Sequence, residues 1–129
     1  MTEIEAVQVA NQLFYRAFET LDLGQMSGVW DDEHAVTCVH PGWPLIQGRD
    51  EVMRSWDNIF NNTMVMQFTI TEGTVHIEDN SAWVVCTENL RSVVDGRVSE
   101  GKIEATNIFR KHHGERWLMV HHHGSPVMG

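Results

Sequence analysis

Ala105-Thr106-Asn107-Ile108-Phe109-Arg110, a turn at His113-Gly114, and then Trp117-Leu118-Met119-Val120-His121-His122-His123-Gly124-Ser125-Pro126 form the stretch that decides the fold. Apolar and β-branched residues on both sides of a glycine turn read as two strands joined by a hairpin. The second strand ends in a histidine cluster that continues a hydrophobic run, so the cluster belongs to the fold.

Toward the N-terminus the same pattern repeats. Residues 82–94 and 102–110 flank Asp95-Gly96, a tight hairpin signal. Met64, Met66, Phe68 and Ile70 alternate with Val65, Gln67, Thr69 and Thr71, and Val75 and Ile77 follow a bulge expected near Gly73. Asp79-Asn80 is the intervening turn. Earlier still the period becomes helical. Thr2 with Glu5 forms a capping box, and Val7, Ala10, Phe14, Ala17, Phe18 and Leu21 fall on one helical face. Gly24 is expected to stop that helix, with a short helical piece over 25–30 and a strand over 35–39. Pro41, Gly42 and Pro44 make an irregular loop holding His40 and Trp43. A third helix starts after Gly48 with Val52, Trp56, Ile59 and Phe60 as its stripe, and ends at Asn61-Asn62.

Three helices followed by hairpins predict an α+β fold, one domain over residues 1–129. Helices laid on a curved antiparallel sheet would leave a cone whose mouth is a natural pocket. The chain of 129 residues carries 18 acidic and 9 basic residues, a formal net charge of -9. That field disfavours nucleic acid and anionic membrane surfaces as partners. No apolar run reaches membrane-spanning length, the first twenty residues lack a signal-peptide pattern, and a cytosolic location is expected. Cys38 and Cys86 sit in apolar strand patterns and read as buried free thiols. There is no CxxC pair, phosphate loop or nucleophile triad, and neither a cofactor nor a metal is expected.

The element order, with His40-Pro41-Gly42-Trp43-Pro44 and the stretch from Ala105-Thr106-Asn107 to His123-Gly124-Ser125, resembles the nuclear transport factor 2-like superfamily. This cone-shaped fold is also called cystatin-like. Within it the chain is similar to SnoaL-like proteins. The last two strands also resemble the association domain of calcium/calmodulin-dependent kinase II, with its Thr-led strand, Gly turn, Trp, and Val-His-x-His ending before Ser. The resemblance specifies fold better than chemistry, because the superfold hosts enzymes, binders and assembly domains.

Ketosteroid isomerases of this fold have an Asp-Pro pair after the first strand, the Asp being the general base. The matching pair is His40-Pro41, and an imidazole suits proton transfer near neutrality. Those isomerases also place a tyrosine hydroxyl from the first helix. The matching position is Phe14, and Tyr15 is rotated from it by about 100°, so the donor is expected to be missing. The kinase domain's pocket arginine corresponds to Asn107, which hydrogen-bonds without charge.

His40 is therefore the candidate catalytic residue. Phe14, Phe18, Trp43 and Trp56 are the expected walls of an apolar pocket, and Asn107, His121 and His123 its polar contacts. His121 and His123 share one strand face and His122 the other. Parity leaves open whether the pair lines the pocket, is satisfied internally or lies at an interface. Glu88 is either buried with a raised pKa or paired with Arg91 or Arg110. Asp31, Asp32 and Glu33 read as a solvated turn. The implied function is binding of a small apolar or aromatic molecule, with cofactor-free isomerase, dehydratase or cyclase chemistry at His40. The alternative is a non-catalytic binding or oligomerisation module. A homodimer through the outer sheet face is expected, because an open sheet would otherwise expose apolar residues.

Overall fold

The computed structural model describes residues 1–128. Helix α1 spans Glu3–Thr20, with the Thr2–Glu5 capping box formed. It ends at Leu21, which takes the left-handed conformation (φ 55°). Gly24 is not the stop. Asp22 caps a second helix, α2 (Leu23–Val29), and Gly24 lies inside its first turn. Strands β1 (Thr37–Val39) and β2 (Ile46–Gln47) bracket the proline loop, and α3 spans Arg49–Asn61. Four long strands follow: β3 (Val65–Glu78), β4 (Ser81–Val94), β5 (Arg97–His112) and β6 (Arg116–Pro126). The expected bulge appears between Thr71 and Thr74. Asp95 and Gly96 both have positive φ, as a two-residue hairpin turn requires.

The six strands form one sheet in the order β2-β1-β6-β5-β4-β3. All pairings are antiparallel except β1 with β6, where Thr37, Cys38 and Val39 run parallel to His121, His122 and His123. This pairing sets the His40 loop beside the C-terminal end of β6. Gly124 makes the approach possible. A Cβ there would stand 3.0 Å from Ile103 Cγ2 and 3.1 Å from Pro41 Cγ, so a larger residue would require those side chains to shift by a few tenths of an ångström.

The helices cover the concave face, and the core lies between. Fully buried Phe14, Met26, Trp30, Trp56, Phe109 and Met119 dominate it. Arg49, at the start of α3, donates to the carbonyls of Ser27, Trp30 and Asp31 and to the Ser27 hydroxyl. It thereby ties α3 to the end of α2. Asp31 is not a solvated residue. It is fully buried and accepts from the Glu33 and His34 amides at 2.7 and 2.9 Å. Burial raises its pKa, but those bonds and the His34 ring more than offset this, leaving the carboxyl below its ordinary value. Cys38 and Cys86 are buried and unpaired. Among the described residues no helix is long and apolar enough to cross a membrane.

Candidate functional site

The concave face buries a file of polar side chains. Tyr15 Oη donates to Glu88 Oε2 at 2.6 Å and accepts from Asn107 Nδ2 at 3.1 Å. Asn107 Nδ2 also donates to Asn11 Oδ1 at 2.9 Å. With its amide nitrogen so engaged, Asn107 uses Oδ1 as an acceptor, and His122 Nδ1 lies 2.6 Å from it. The network therefore assigns the proton of His122 to Nδ1. All five residues are buried, as a satisfied internal network allows.

His40 occupies the other half of the interior. It is buried at the end of β1, 2.9 Å from Ser55 Oγ through Nε2. Ser55 donates its own proton to the Val52 carbonyl at 2.6 Å, so it must accept from His40. Nε2 therefore carries the His40 proton and Nδ1 is left as a base. Rings surround it. Trp56 lies edge-on at 4.6 Å and Trp43 at 4.9 Å, and the His122 ring centre is 6.4 Å away. His122 thus links the two halves.

Burial tunes the two ends in opposite directions. It pushes the His40 imidazole down to about 4, so the ring is neutral at pH 7. It pushes the Glu88 carboxyl up to about 7, partly opposed by the Tyr15 hydrogen bond. Desolvation of the charged form is the common cause. Tyr15 itself is raised, by burial and then by Glu88, and remains a neutral donor. His122 is held well below its ordinary value by burial and the neighbouring imidazoles.

These positions revise several sequence expectations. Tyr15 does not point away; it is the donor at the centre of the file. The arc of α1 buried in the curved sheet is wide enough to take both Phe14 and Tyr15. Glu88 faces the concave side and pairs with Tyr15 rather than with Arg91 or Arg110. His121 and His123 face outward, and His122 is the inward member. The reason is a bulge. Ile108 pairs with His121 but Phe109 pairs with Met119, leaving Val120 as the extra residue. That shift puts Met119 and His122 on one face although their numbers differ in parity. The outward His121 is held by the Thr37 hydroxyl at 2.7 Å.

Of the expected walls, Phe14, Phe18 and Trp56 meet one another, with ring centres 4.8–6.3 Å apart. They fill the interior beside His40. Trp43 is 38% exposed and covers the His40 ring from outside. Trp56 Nε1 is buried without a hydrogen-bond partner among the described residues. A cleft of about 460 Å³ opens between α1 and the β3–β4 arm, bordered by Asn11, Tyr15, Phe68, Ile70 and Val84. Two members of the polar file, Asn11 and Tyr15, thus reach its wall.

Residues 7–129 match the model of the SnoaL-like domain family. The chain is a SnoaL-like domain. Its fold is that of the nuclear transport factor 2-like superfamily. This SnoaL-like domain is 38% identical to a Streptomyces avermitilis protein of the same superfamily to which dehydratase activity is ascribed. The TM-score is 0.91, with 98% of this chain and 96% of that one covered. A Thiobacillus denitrificans structure assigned as a calcium/calmodulin-dependent protein kinase type II association domain is 27% identical, with a TM-score of 0.80 and 94% of each chain covered. The F-box protein SKIP8 of Arabidopsis thaliana is 32% identical over 123 residues, 95% of this chain. The chain spans half the length of that relative.

Proposed function

We propose that this SnoaL-like domain binds a small, largely apolar or aromatic molecule and acts on it by cofactor-free proton transfer, as a dehydratase, isomerase or cyclase. The observation that carries this reading is the opposite tuning of His40 and Glu88 within one interior. Two titratable groups pushed apart by their surroundings are the mark of an acid–base pair. His40 Nδ1 is the base. Tyr15 already occupies Glu88 Oε2, so the carboxyl proton sits on Oε1, which makes no hydrogen bond among the described residues. That oxygen is the acid.

For a β-hydroxy ketone the step balances as follows. His40 takes the proton α to the carbonyl, the carbon–carbon double bond forms, and the β-hydroxyl leaves as water with the Glu88 proton. A base of such low pKa suits only a substrate whose α-proton is already acidic. Phe14, Phe18, Trp43 and Trp56 supply apolar surface, and Asn107 positions Tyr15. The dehydratase activity ascribed to the Streptomyces avermitilis relative supports the reaction class.

A second reading has its own observation. The rings around His40 are in contact with one another, which suits a non-catalytic binding or assembly module, as does the likeness to the kinase association domain. In either reading two copies pair through the outer sheet face. There Trp83 and Ile108 are register partners, half-buried in the single chain, and Val85 is 40% exposed beside them. A sedimenting monomer at micromolar concentration would contradict that pairing.

A panel of aryl-substituted β-hydroxy ketones tests the chemistry. Turnover should fall by at least 10²-fold in both His40→Ala and Glu88→Gln, roughly the contribution of one positioned acid or base, with cooperative unfolding retained. Binding without turnover in the parent chain would favour the module, and turnover surviving both substitutions would refute the assignment.

A further inference from the structure

Three side chains that the acid–base reading leaves unused, Glu33, His112 and His113, converge at the end of the sheet remote from the Asp95-Gly96 turn, with Asp32 beside His112. His112 and His113 end β5 and begin the following turn, and Asp32 and Glu33 lie between α2 and β1. A regular strand would send adjacent histidines to opposite faces. Here a single helical turn over His113–Glu115, with Gly114 at φ 73°, bends the chain so that both rings reach Glu33.

Glu33 Oε2 is 3.3 Å from Nε2 of His112 and 3.3 Å from Nε2 of His113. Asp32 Oδ1 is 3.5 Å from His112 Nε2. Zinc bonds of about 2.0–2.1 Å in a tetrahedron place neighbouring ligand atoms roughly 3.3–3.4 Å apart. The two Glu33 separations are therefore close to the edges of such a tetrahedron.

A second observation points the same way. His112 Nε2 is buried and makes no hydrogen bond, although two carboxylate oxygens lie within 3.5 Å. Around a tetrahedral ion each neighbouring ligand atom sits about 35° off the lone-pair axis of the ring nitrogen. An oxygen so placed is near the ring nitrogen without lying along its N–H direction. Charge fits as well. The Glu33 carboxylate, with that of Asp32 beside His112, offsets a dication, and the Lys111 amine is turned to Glu3. Asp31 is committed to His34 and two backbone amides, which fixes the segment that carries Asp32 and Glu33.

We propose that Glu33, His112 and His113 form a site for a divalent transition-metal ion of zinc type, with water as the fourth ligand. Such an ion would cross-link the α2–β1 segment to the β5–β6 turn. Mixed imidazole and carboxylate ligands suit zinc or cobalt better than calcium or magnesium.

The test uses the full chain, free of any affinity tag and stripped of metal. Zinc is titrated by calorimetry, and cobalt(II) by its visible absorption. The parent should take up one equivalent of each, with the absorption of four-coordinate cobalt and a raised unfolding temperature in zinc. Glu33→Gln and His113→Ala, both at exposed positions, should each weaken zinc binding at least about tenfold, a loss that even outer-sphere partners can produce. The outward imidazoles of His121 and His123 are the competing ligands on the surface. His121→Ala/His123→Ala should leave zinc uptake unchanged. Absence of stoichiometric uptake would overturn the proposal. So would uptake that survives in Glu33→Gln and His113→Ala, or that disappears in the His121/His123 variant.

Discussion

Around His40 the neighbours are rings; around Glu88 they are polar side chains. The His40 half buries its imidazole against Ser55 Oγ, the Cys38 thiol at 3.7–3.8 Å and the indoles of Trp43 and Trp56. The Glu88 half is a continuous file through Tyr15 and Asn107 to His122. Both halves desolvate an ionisable group: His40 is neutral at pH 7, and Glu88, at about 7, still holds a proton on about half of its carboxyls there. The outcome is complementary, because a neutral imidazole is a base and a neutral carboxyl is an acid. The contrast also locates vulnerability. Shape maintains the first half and hydrogen-bond complementarity the second, so different substitutions should damage them.

Removing shape should have the largest effect. Trp56→Ala leaves a cavity beside His40, Phe14 and Phe18, and should cost about 3–5 kcal/mol in denaturant unfolding. It should also admit water and move the His40 pKa up toward its ordinary value. Breaking the polar half at its centre comes next. Asn107→Leu preserves bulk but deprives Tyr15, Asn11 and His122 of partners at once, and should cost about 3 kcal/mol. Its His40 pKa should stay low, because the rings are untouched. If both variants shifted His40 equally, the division into two halves would fail.

The smallest expected effect sharpens the comparison through pH. His40 has a lowered folded pKa, so the unfolded chain binds the extra proton between about 4 and 6.5, and this contribution to stability is lost as pH falls through that window. Glu88 has a raised folded pKa, so the folded chain holds the extra proton between about 4.5 and 7, and its contribution is lost as pH rises. The two slopes oppose each other in the parent. Glu88→Gln removes one of them, and the stability of the variant relative to the parent should grow by roughly 2–3 kcal/mol between pH 4 and pH 8. Urea unfolding at the two pH values measures it.

Local signals made the element order legible. The capping box, the Asp95-Gly96 turn and the period-two runs each act within a few residues, and the structure realises all of them. What escaped depends on remote parts. The parallel pairing of β1 with β6 involves three residues of a short strand and carries no pattern of its own. The inward face of β6 is set by one extra residue at Val120, which the residue types do not announce. Tyr15 was legible as a helix residue but not as a buried donor, since the width of the buried arc is decided by the curvature of a sheet formed fifty residues later. Glu88 is legible as an oddity in an apolar strand, but the pattern leaves open whether it is buried or paired with an arginine, and only the position of Tyr15 decides it. His40 was placed correctly at a strand end, while the ring packing around it depends on α3. The meeting of Glu33 with His112 and His113 joins two turns distant in sequence, and no motif spacing links them.

The most direct measurement is a residue-specific NMR titration of the Glu88 carboxyl carbon and the His40 ring nitrogens in one sample from pH 4 to pH 8. The account predicts a Glu88 midpoint about 7, with His40 neutral throughout most of the range and protonated on Nε2. A Glu88 midpoint in the ordinary carboxylate range, together with a His40 midpoint near 6.5, would contradict it.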